Sequence, residues 1–434
     1  MSPPQNSVKN NYSNKSRAWE IRFTSIDPAK SPSQFAPSAA MRANLSKAAA
    51  LDALDIVCLS HLRWNSVYQR PQHLLSHCAK NRRVFFVEEP ILSAVTDWWL
   101  DVSIHASGVW VIVPHLNDEI SEQTAQTAQQ AMLDDLFQAA EIRQYVLWYY
   151  TPMAVSFTNH LKPLAVVYDC MNELSAFHGQ HPDFKANETQ LLKRASIVFT
   201  GTHSLCEAKQ HQHANIHVFP SSIEKEHFAT ARNISEEPAD QQDIPHPRLG
   251  FFGAIDEGTD IELLGGIAEA KPNWHLAIVG SVVKIDRATL PTNPNIHYLG
   301  YKSYQELPAY IAGWDLGILP LAINESTKFF SPTKALEYLA AGKPVISTSI
   351  GTAVQPYGEK GLVRIASNVA EFVAAAEEIM SESSDDRTKW LSEVDVFLAE
   401  TSWENTWGEM LELIESAIAE KKQASEGMMK VFRE

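Results

Sequence analysis

Short apolar runs that alternate with helical stretches, twice over, constrain this chain more than any other feature. In the first half such runs fall at 56–60, 83–87, 109–113, 145–149, 164–168, 197–200 and 216–219. Stretches at 69–80, 122–140, 182–194 and 204–211 carry helical spacing and separate most of them. A strand that is apolar along its whole length is buried on both faces. Alternation of such strands with helices predicts a parallel, doubly wound sheet. The pattern restarts in the second half, with strands at 248–253, 275–279, 296–299 and 316–319 and helices at 261–270, 307–312 and 369–380. Amphipathic helices at 390–399 and 403–419 close the chain. Trp403 and Trp407 lie four apart and form one anchoring face for core packing.

The polar breaks divide the chain. Residues 1–50 hold Lys9, Lys15, Arg17, Arg22, Lys30, Arg42 and Lys47 against Glu20 and Asp27, show no sustained period, and read as a polar, disordered tail. Residues 51–228 read as a first Rossmann-like domain. Residues 229–247, with four acidic residues and three prolines, read as a linker. Residues 248–395 read as a second Rossmann-like domain, and 396–434 as a crossover helix and tail.

Composition sets limits on function. A formal charge of −16 argues against general nucleic-acid binding. No apolar run approaches the roughly 20 residues that span a bilayer. Cys58, Cys78, Cys170 and Cys206 are scattered without a CxxC pair, which fits a reduced cytoplasm and no zinc site. The polar start is expected to carry no signal peptide. The expected location is therefore cytoplasmic, with the dispersed basic residues of the tail allowing peripheral contact at the inner face of a membrane.

Chemistry concentrates at 324–348, which reads as loop, helix, turn and strand. Ser331 suits an N-cap and Pro332 the first helical position. Gly342 suits the residue just past the helix. Free N–H groups in the first turn and the positive end of the helix dipole make an anion site, beside which Lys328 and Lys334 add charge. Thr333 and Glu337 share a face, so Glu337 is placed to accept from ribose hydroxyls. The same residues also fit an ordinary capped amphipathic helix. Gly253, Gly280 and Gly300 follow three successive strands, where a missing side chain lets backbone approach a ligand.

This stretch, Ser331-Pro332-Thr333-Lys334 with Glu337-Tyr338-Leu339-Ala340-Ala341-Gly342-Lys343-Pro344-Val345, resembles the donor-binding segment of retaining glycosyltransferases of glycosyltransferase family 4, and the run of Ser60 to Asn65 with Gln69 to His73 resembles one carried by a bacterial polysaccharide subgroup. The resemblance covers about residues 55–420. It implies the GT-B fold: two doubly wound Rossmann-like α/β domains facing a cleft, with the last helices crossing back. It also implies that the helix N-terminus meets a nucleoside diphosphate and that Glu337 meets the ribose. The first glutamate of the family's paired signature falls on Phe329; Glu325 and Lys328 stand close by to take its place. Where the family sets an arginine and a lysine after the first glycine, this chain has Ala254-Ile255-Asp256-Glu257-Gly258-Thr259, so Lys328 and Lys334 are the expected replacements.

In the first domain, Ser60-His61-Leu62-Arg63-Trp64-Asn65 follows the first strand, and Gln69-Arg70-Pro71-Gln72-His73 opens a helix. Aromatic faces stack on sugars, and Arg, Gln and His bond hydroxyls or phosphate. His61, Arg63, Trp64 and Arg70 are the candidates, while His73 reads as a plain helix start. Asp169, Asn172 and Glu173 cluster after another strand, where a general base or hydroxyl acceptor sits. Met171 stands where many family members have histidine. Glu88 and Glu89 are an alternative pair. Residues 200–204 suit an acceptor phosphate or a helix capped by Ser204, and 219–224 takes the place of the family's hinge run.

The expected reaction is retaining transfer of a sugar from a nucleoside-diphosphate donor, UDP by resemblance, to a polysaccharide or other glycan, lipid-linked or free. Asp169, Glu325, Lys328 and His61 are the candidate catalytic residues. Gly253, Gly280, Gly300, Ser331, Thr333, Lys334 and Glu337 bind the donor. Arg63, Trp64, Arg70, Asn172 and Glu173 face the acceptor. No Asp-x-Asp motif occurs, so no metal or further cofactor is expected. The alternatives are a non-hydrolysing sugar-nucleotide epimerase of GT-B type, or a catalytically weak two-domain sugar- or nucleotide-binding protein.

Overall fold

The computed structural model describes residues 19–24, 54–66, 68–173, 181–324, 327, 329, 331 and 333–431. It holds two sheets. The first comprises β1 (Trp19–Thr24), β2 (Asp55–Ser60), β3 (Val84–Glu88), β4 (Ile91–Ser93), β5 (Trp98–Ile104), β6 (Trp110–Asn117), β7 (Tyr145–Tyr149), β8 (Ala165–Cys170), β9 (Ile197–Thr200) and β10 (Ile216–Val218). Their order is β1-β5-β6-β3-β2-β7-β8-β9-β10, with β4 also paired to β6. The second comprises β11 (Arg248–Phe252), β12 (His275–Val279), β13 (Ile296–Gly300), β14 (Leu316–Leu319), β15 (Val345–Ser347) and β16 (Arg364–Ile365), ordered β13-β12-β11-β14-β15-β16 and parallel throughout.

Helices cover both sheets: α1 (Arg70–Cys78), α2 (Glu122–Ala139), α3 (Phe184–Arg194), α4 (His203–Lys209), α5 (Lys225–Ala229), α6 (Ile261–Ala270), α7 (Leu307–Ala312), α8 (Thr333–Ala340), α9 (Val369–Ser381), α10 (Ser384–Ala399) and α11 (Trp403–Val431). Alternate residues of each strand serve opposite faces. Val57 and Leu59 pack towards Met132, Leu133 and Leu136 of α2. Ile56 and Cys58 pack towards Leu74 and Leu75 of α1 and Trp403, Trp407, Met410 and Ile414 of α11. Thus α11 returns to the first sheet and lies beside α1.

The structure corrects two expectations. The first sheet is not wholly parallel: β5 runs antiparallel to β6. The connection 105–109 is too short for the crossover a parallel pair needs. It turns through Gly108 at φ +90, where a residue with a side chain would be strained. The tail expected at 1–50 contributes β1, paired in parallel with β5. Trp19, Ile21 and Phe23 alternate with Glu20, Arg22 and Thr24, a period-2 signal only six residues long. Trp19 donates to Asp135 Oδ2 at 3.0 Å, and the Arg22 guanidinium lies 4.2 Å from the Trp99 ring centre.

Residues 229–247 lie against the second sheet. Gln241 is buried, donates to the Tyr310 carbonyl at 2.9 Å and accepts from Trp314 Nε1 at 3.0 Å. Buried Arg248 reaches back to Glu237 and to the Ile244 carbonyl. No helix among the described residues is long and apolar enough to cross a membrane.

Trp407 is 8% exposed, with its ring centre 6.3 Å from that of Trp148. We expect Trp407→Ala to cost about 3–5 kcal/mol, read as a lower urea midpoint for the unfolding step that exposes the first-sheet tryptophans. An unchanged midpoint would mean that α11 adds nothing to that core.

Candidate functional site

Each sheet has one place where successive connections leave in opposite directions, and ligands of such sheets sit there, beyond the strands' carboxyl ends. In the second sheet β12 and β13 lie to one side of β11, and β14 lies to the other. The divergence falls between Gly253, after β11, and the loop that runs from β14 into α8. In the first sheet it falls between the loop after β2, which carries His61, and the residues after β7.

The α8 sequence divides into two faces. Ala335, Leu336, Tyr338, Leu339 and Ala340 are buried, while Thr333, Lys334 and Glu337 are half-buried on the polar side. Tyr338 Oη accepts the Phe252 N–H at 2.9 Å and ties the helix to the end of β11. The Lys334 stem lies over Gly253: a Cβ there would come within 2.5 Å of Lys334 Cε. At the far end of α8, Arg232 Nε donates to the Ala340 carbonyl at 2.7 Å. The same guanidinium pairs twice with Asp395 at 2.9 Å. Burial pushes the Glu337 carboxyl up to about 7, opposed by the Lys334 charge.

The three strand-end glycines do not act alike. A Cβ on Gly280 would lie 1.8 Å from the Gly253 carbonyl oxygen, so this glycine lets two strand ends close on each other. Gly253 makes room for Lys334. Only at Gly300, φ +71, would a Cβ meet nothing within 4 Å. The expectation that all three open the backbone to a ligand is thus corrected: at Gly253 and Gly280 the close neighbour belongs to the protein. Ser331 is half-buried and its carbonyl accepts the Thr333 N–H at 2.9 Å. Glu325 and Lys328 lie outside the described residues. Phe329, at the position of the family's first glutamate, packs against the core of the first sheet.

In the first half the candidates separate. His61 is half-buried after β2, its Nδ1 is buried without a hydrogen-bond partner, and burial lowers its pKa, so the ring is neutral at neutral pH. Asp169, expected as a catalytic carboxylate, is 1% exposed and receives Arg70 Nε and Nη2 at 3.1 and 3.0 Å. Arg70, expected to face an acceptor, is 4% exposed and spends its remaining reach on the Phe219 carbonyl at 2.7 Å. Both are buried structural charges. Trp64, expected to stack on sugar, is 3% exposed and sits edge-on to Phe86 with centres 5.0 Å apart. Arg63 bonds Glu88 at 2.9 Å and the Pro90 carbonyl at 3.3 Å, while the Trp64 N–H donates to Glu88 at 2.8 Å. Arg63 and Glu88 therefore fasten this loop to β3. Asn172 is half-buried, and its carbonyl accepts from Cys170 Sγ at 3.5 Å. Glu173 meets Lys209 at 2.8 Å, and Lys209 also holds Glu188 at 2.9 Å. The cap of α4 is Thr202, which accepts from the Leu205 N–H at 3.2 Å, and not Ser204.

A cluster between the halves gave little sequence signal. His73 Nδ1 lies 3.2 Å from Glu224, and the Tyr304 hydroxyl donates to the other Glu224 oxygen at 3.4 Å. Burial raises the Tyr304 pKa, and the nearby Glu337 and Glu224 charges raise it further. Tyr304 therefore lies within the electrostatic reach of the α8 carboxylate. As to metals, exposed Glu122, His181 and Asp183 bring ligand atoms within 4.8 Å of one another at the start of α2 and just before α3.

Two Rossmann-like α/β units with facing strand ends, joined by a helix that returns to the first, define the GT-B class of fold. Within it, residues 246–382 match the family described as glycosyl transferases group 1. The chain is 25% identical over 284 residues to the putative teichuronic acid biosynthesis glycosyltransferase TuaH of Bacillus subtilis (strain 168), covering 59% of this chain and 69% of that protein. Among solved structures it is similar to "Trehalose-6-phosphate from E. coli bound with UDP-2-fluoro glucose", with TM-score 0.62, 11% identity, and 83% and 98% of the two chains covered. It is also similar to Anabaena Alr3699/HepE in complex with UDP and glucose, with TM-score 0.60, 14% identity, and 84% and 100% covered.

Removing Asp169 strands the Arg70 guanidinium in the core. Asp169→Ala is expected to destabilise the chain by about 3–5 kcal/mol, seen as a lower melting temperature that Arg70→Met in the same chain partly restores. A loss of activity at an unchanged melting temperature would instead make Asp169 a chemical participant.

Proposed function

We propose that the chain is a retaining glycosyltransferase that takes a sugar from a nucleoside-diphosphate donor, with UDP as the nucleotide, and passes it to a polysaccharide or lipid-linked glycan. The observation that carries this reading is the polar face of α8: Lys334 over the Gly253 turn, Glu337 one turn further on, both at the divergence of β11 and β14. The UDP and UDP-sugar complexes of the two structural relatives and the teichuronic acid biosynthesis in the name of TuaH support it.

In this reading the first-turn N–H groups of α8 and the Lys334 ammonium take up the charge that develops on the diphosphate as the bond from the anomeric carbon breaks. Glu337, when ionised, accepts from the ribose hydroxyls. The acceptor oxygen bonds to the anomeric carbon on the face the diphosphate leaves, and its proton passes to the departing phosphate oxygen. His61, neutral, stands on the first-half side of the cleft with its Nδ1 held inside the protein. Arg70, Asp169 and Trp64 shape that side from within the core.

Glu337 gives the reading a pH signature. Its folded pKa, about 7, lies above the ordinary 4.5. Its contribution to stability is therefore full below the ordinary value and is lost as pH rises through about 7. Its capacity to accept ribose hydrogen bonds runs the other way. Affinity for UDP-glucose, whose diphosphate does not titrate near neutrality, is expected to rise about tenfold from pH 6 to pH 8, and to be flat in Glu337→Gln. Calorimetric titration at several pH values checks this. In a thermal-shift assay, UDP-sugars should raise the melting temperature of the wild type and not of Glu337→Ala; equal shifts would remove Glu337 from the site.

A further inference from the structure

Between the halves, several passes of the chain meet at one buried imidazole. His73 belongs to α1 and is 5% exposed. Its Nδ1 faces Glu224, on the segment that leaves the first sheet for the second. An ionised carboxylate only accepts, so Nδ1 carries the proton. Glu224 takes the Tyr304 hydroxyl on its other oxygen, which brings in the loop after β13 of the second sheet. Trp403, the first residue of the returning α11, stacks on His73 with centres 5.1 Å apart and planes within 8°. Tyr68 meets both His73, edge-on at 4.4 Å, and Tyr304 at 5.3 Å. One turn before His73, Arg70 grips the Phe219 carbonyl where β10 gives way to the same segment. Both covalent crossings between the halves and one non-covalent contact therefore converge on the start of α1.

We propose that His73, through Glu224 and Tyr304, is the pin that sets the separation of the two halves, and so acts as a positioning residue for sugar transfer. The inference rests on the glycosyltransferase reading for its catalytic consequence, while the pin itself is a statement about geometry. The donor groups lie on α8 of the second half and His61 lies on the first, so the reacting atoms meet only at one relative placement of the two. Tyr304 supplies the link to the donor side: its ring meets Phe228 edge-on at 5.5 Å, Phe228 stacks on Phe252, and the Phe252 N–H donates to Tyr338 of α8. Hinge residues of this kind lie away from the chemistry and act on the rate through placement.

The test uses the full chain with Cys206→Ser and spin labels on Thr127→Cys in α2 and Ala374→Cys in α9, both exposed positions. Pulsed electron-spin distance measurement on this parent should give one narrow distance. His73→Ala and, as a milder variant that keeps the ring, Tyr304→Phe should each broaden or shift it. His73→Gln, which keeps an N–H donor, should narrow it again. Turnover in His73→Ala should fall by roughly 10²-fold, while the Kd for UDP, held by the second half, stays as in the parent. A broad distribution in the parent, or distances that both variants leave unchanged, would overturn the pin. A parent that binds no UDP would overturn the glycosyltransferase reading, and the distance measurement would still decide the pin.

Discussion

The seating of α8 over the end of β11 is the contact on which the second half depends. The helix is fixed at three points: the Tyr338 hydroxyl on the Phe252 N–H, the Lys334 stem across Gly253, and Arg232 on the last carbonyls. The last of these places a cation at the negative end of the helix dipole and is itself held by Asp395 of α10. Buried Ala335, Leu336 and Leu339 leave the helix no freedom to roll. The positions of Thr333, Lys334 and Glu337 follow from that seating, and so does the burial that keeps the Glu337 proton near neutrality.

The first half is organised by ion pairs at its strand ends, buried at Asp169 and Lys209 and partly open to solvent at Arg63. Arg70 with Asp169, Arg63 with Glu88, and Lys209 with Glu173 and Glu188 each join a helix or loop to the carboxyl ends of strands. Pairs of this kind add little net stability over an apolar substitute but are costly to break singly. Their effect is to fix the loops that frame His61.

Much of the fold was legible in the sequence because strands buried on both faces leave continuous apolar runs. Strands β2, β3 and β6 to β15 announce themselves this way, as does α8 with Pro332 before it and Gly342 after it, while β16 is only two residues long. What escaped was half-buried or antiparallel: β1 and β5 carry alternating patterns that a search for apolar runs passes over. The polar side of α8 was legible as a pattern, because Thr333 and Glu337 lie four apart on one short helix. Asp169, Arg70 and Trp64 were misread because residue type alone does not distinguish a polar group turned to the cleft from one paired inside the core. Asp169 and Arg70 are 99 positions apart, and nothing local in either shows that they meet. His73 and Tyr304 carried no signal, since their partners come from four separate stretches of chain.

The short strand β1 has a consequence for how the protein behaves in crowded solution. Without it, β5 would be the rim of the first sheet, with Trp98 and Trp99 on an unpaired backbone ladder of the kind that recruits other chains. Among the described residues the rim is then β1, six residues long and carrying Glu20 and Arg22, which face each other and resist burial against a second sheet. A segment outside both Rossmann-like units thereby acts as a guard against self-association.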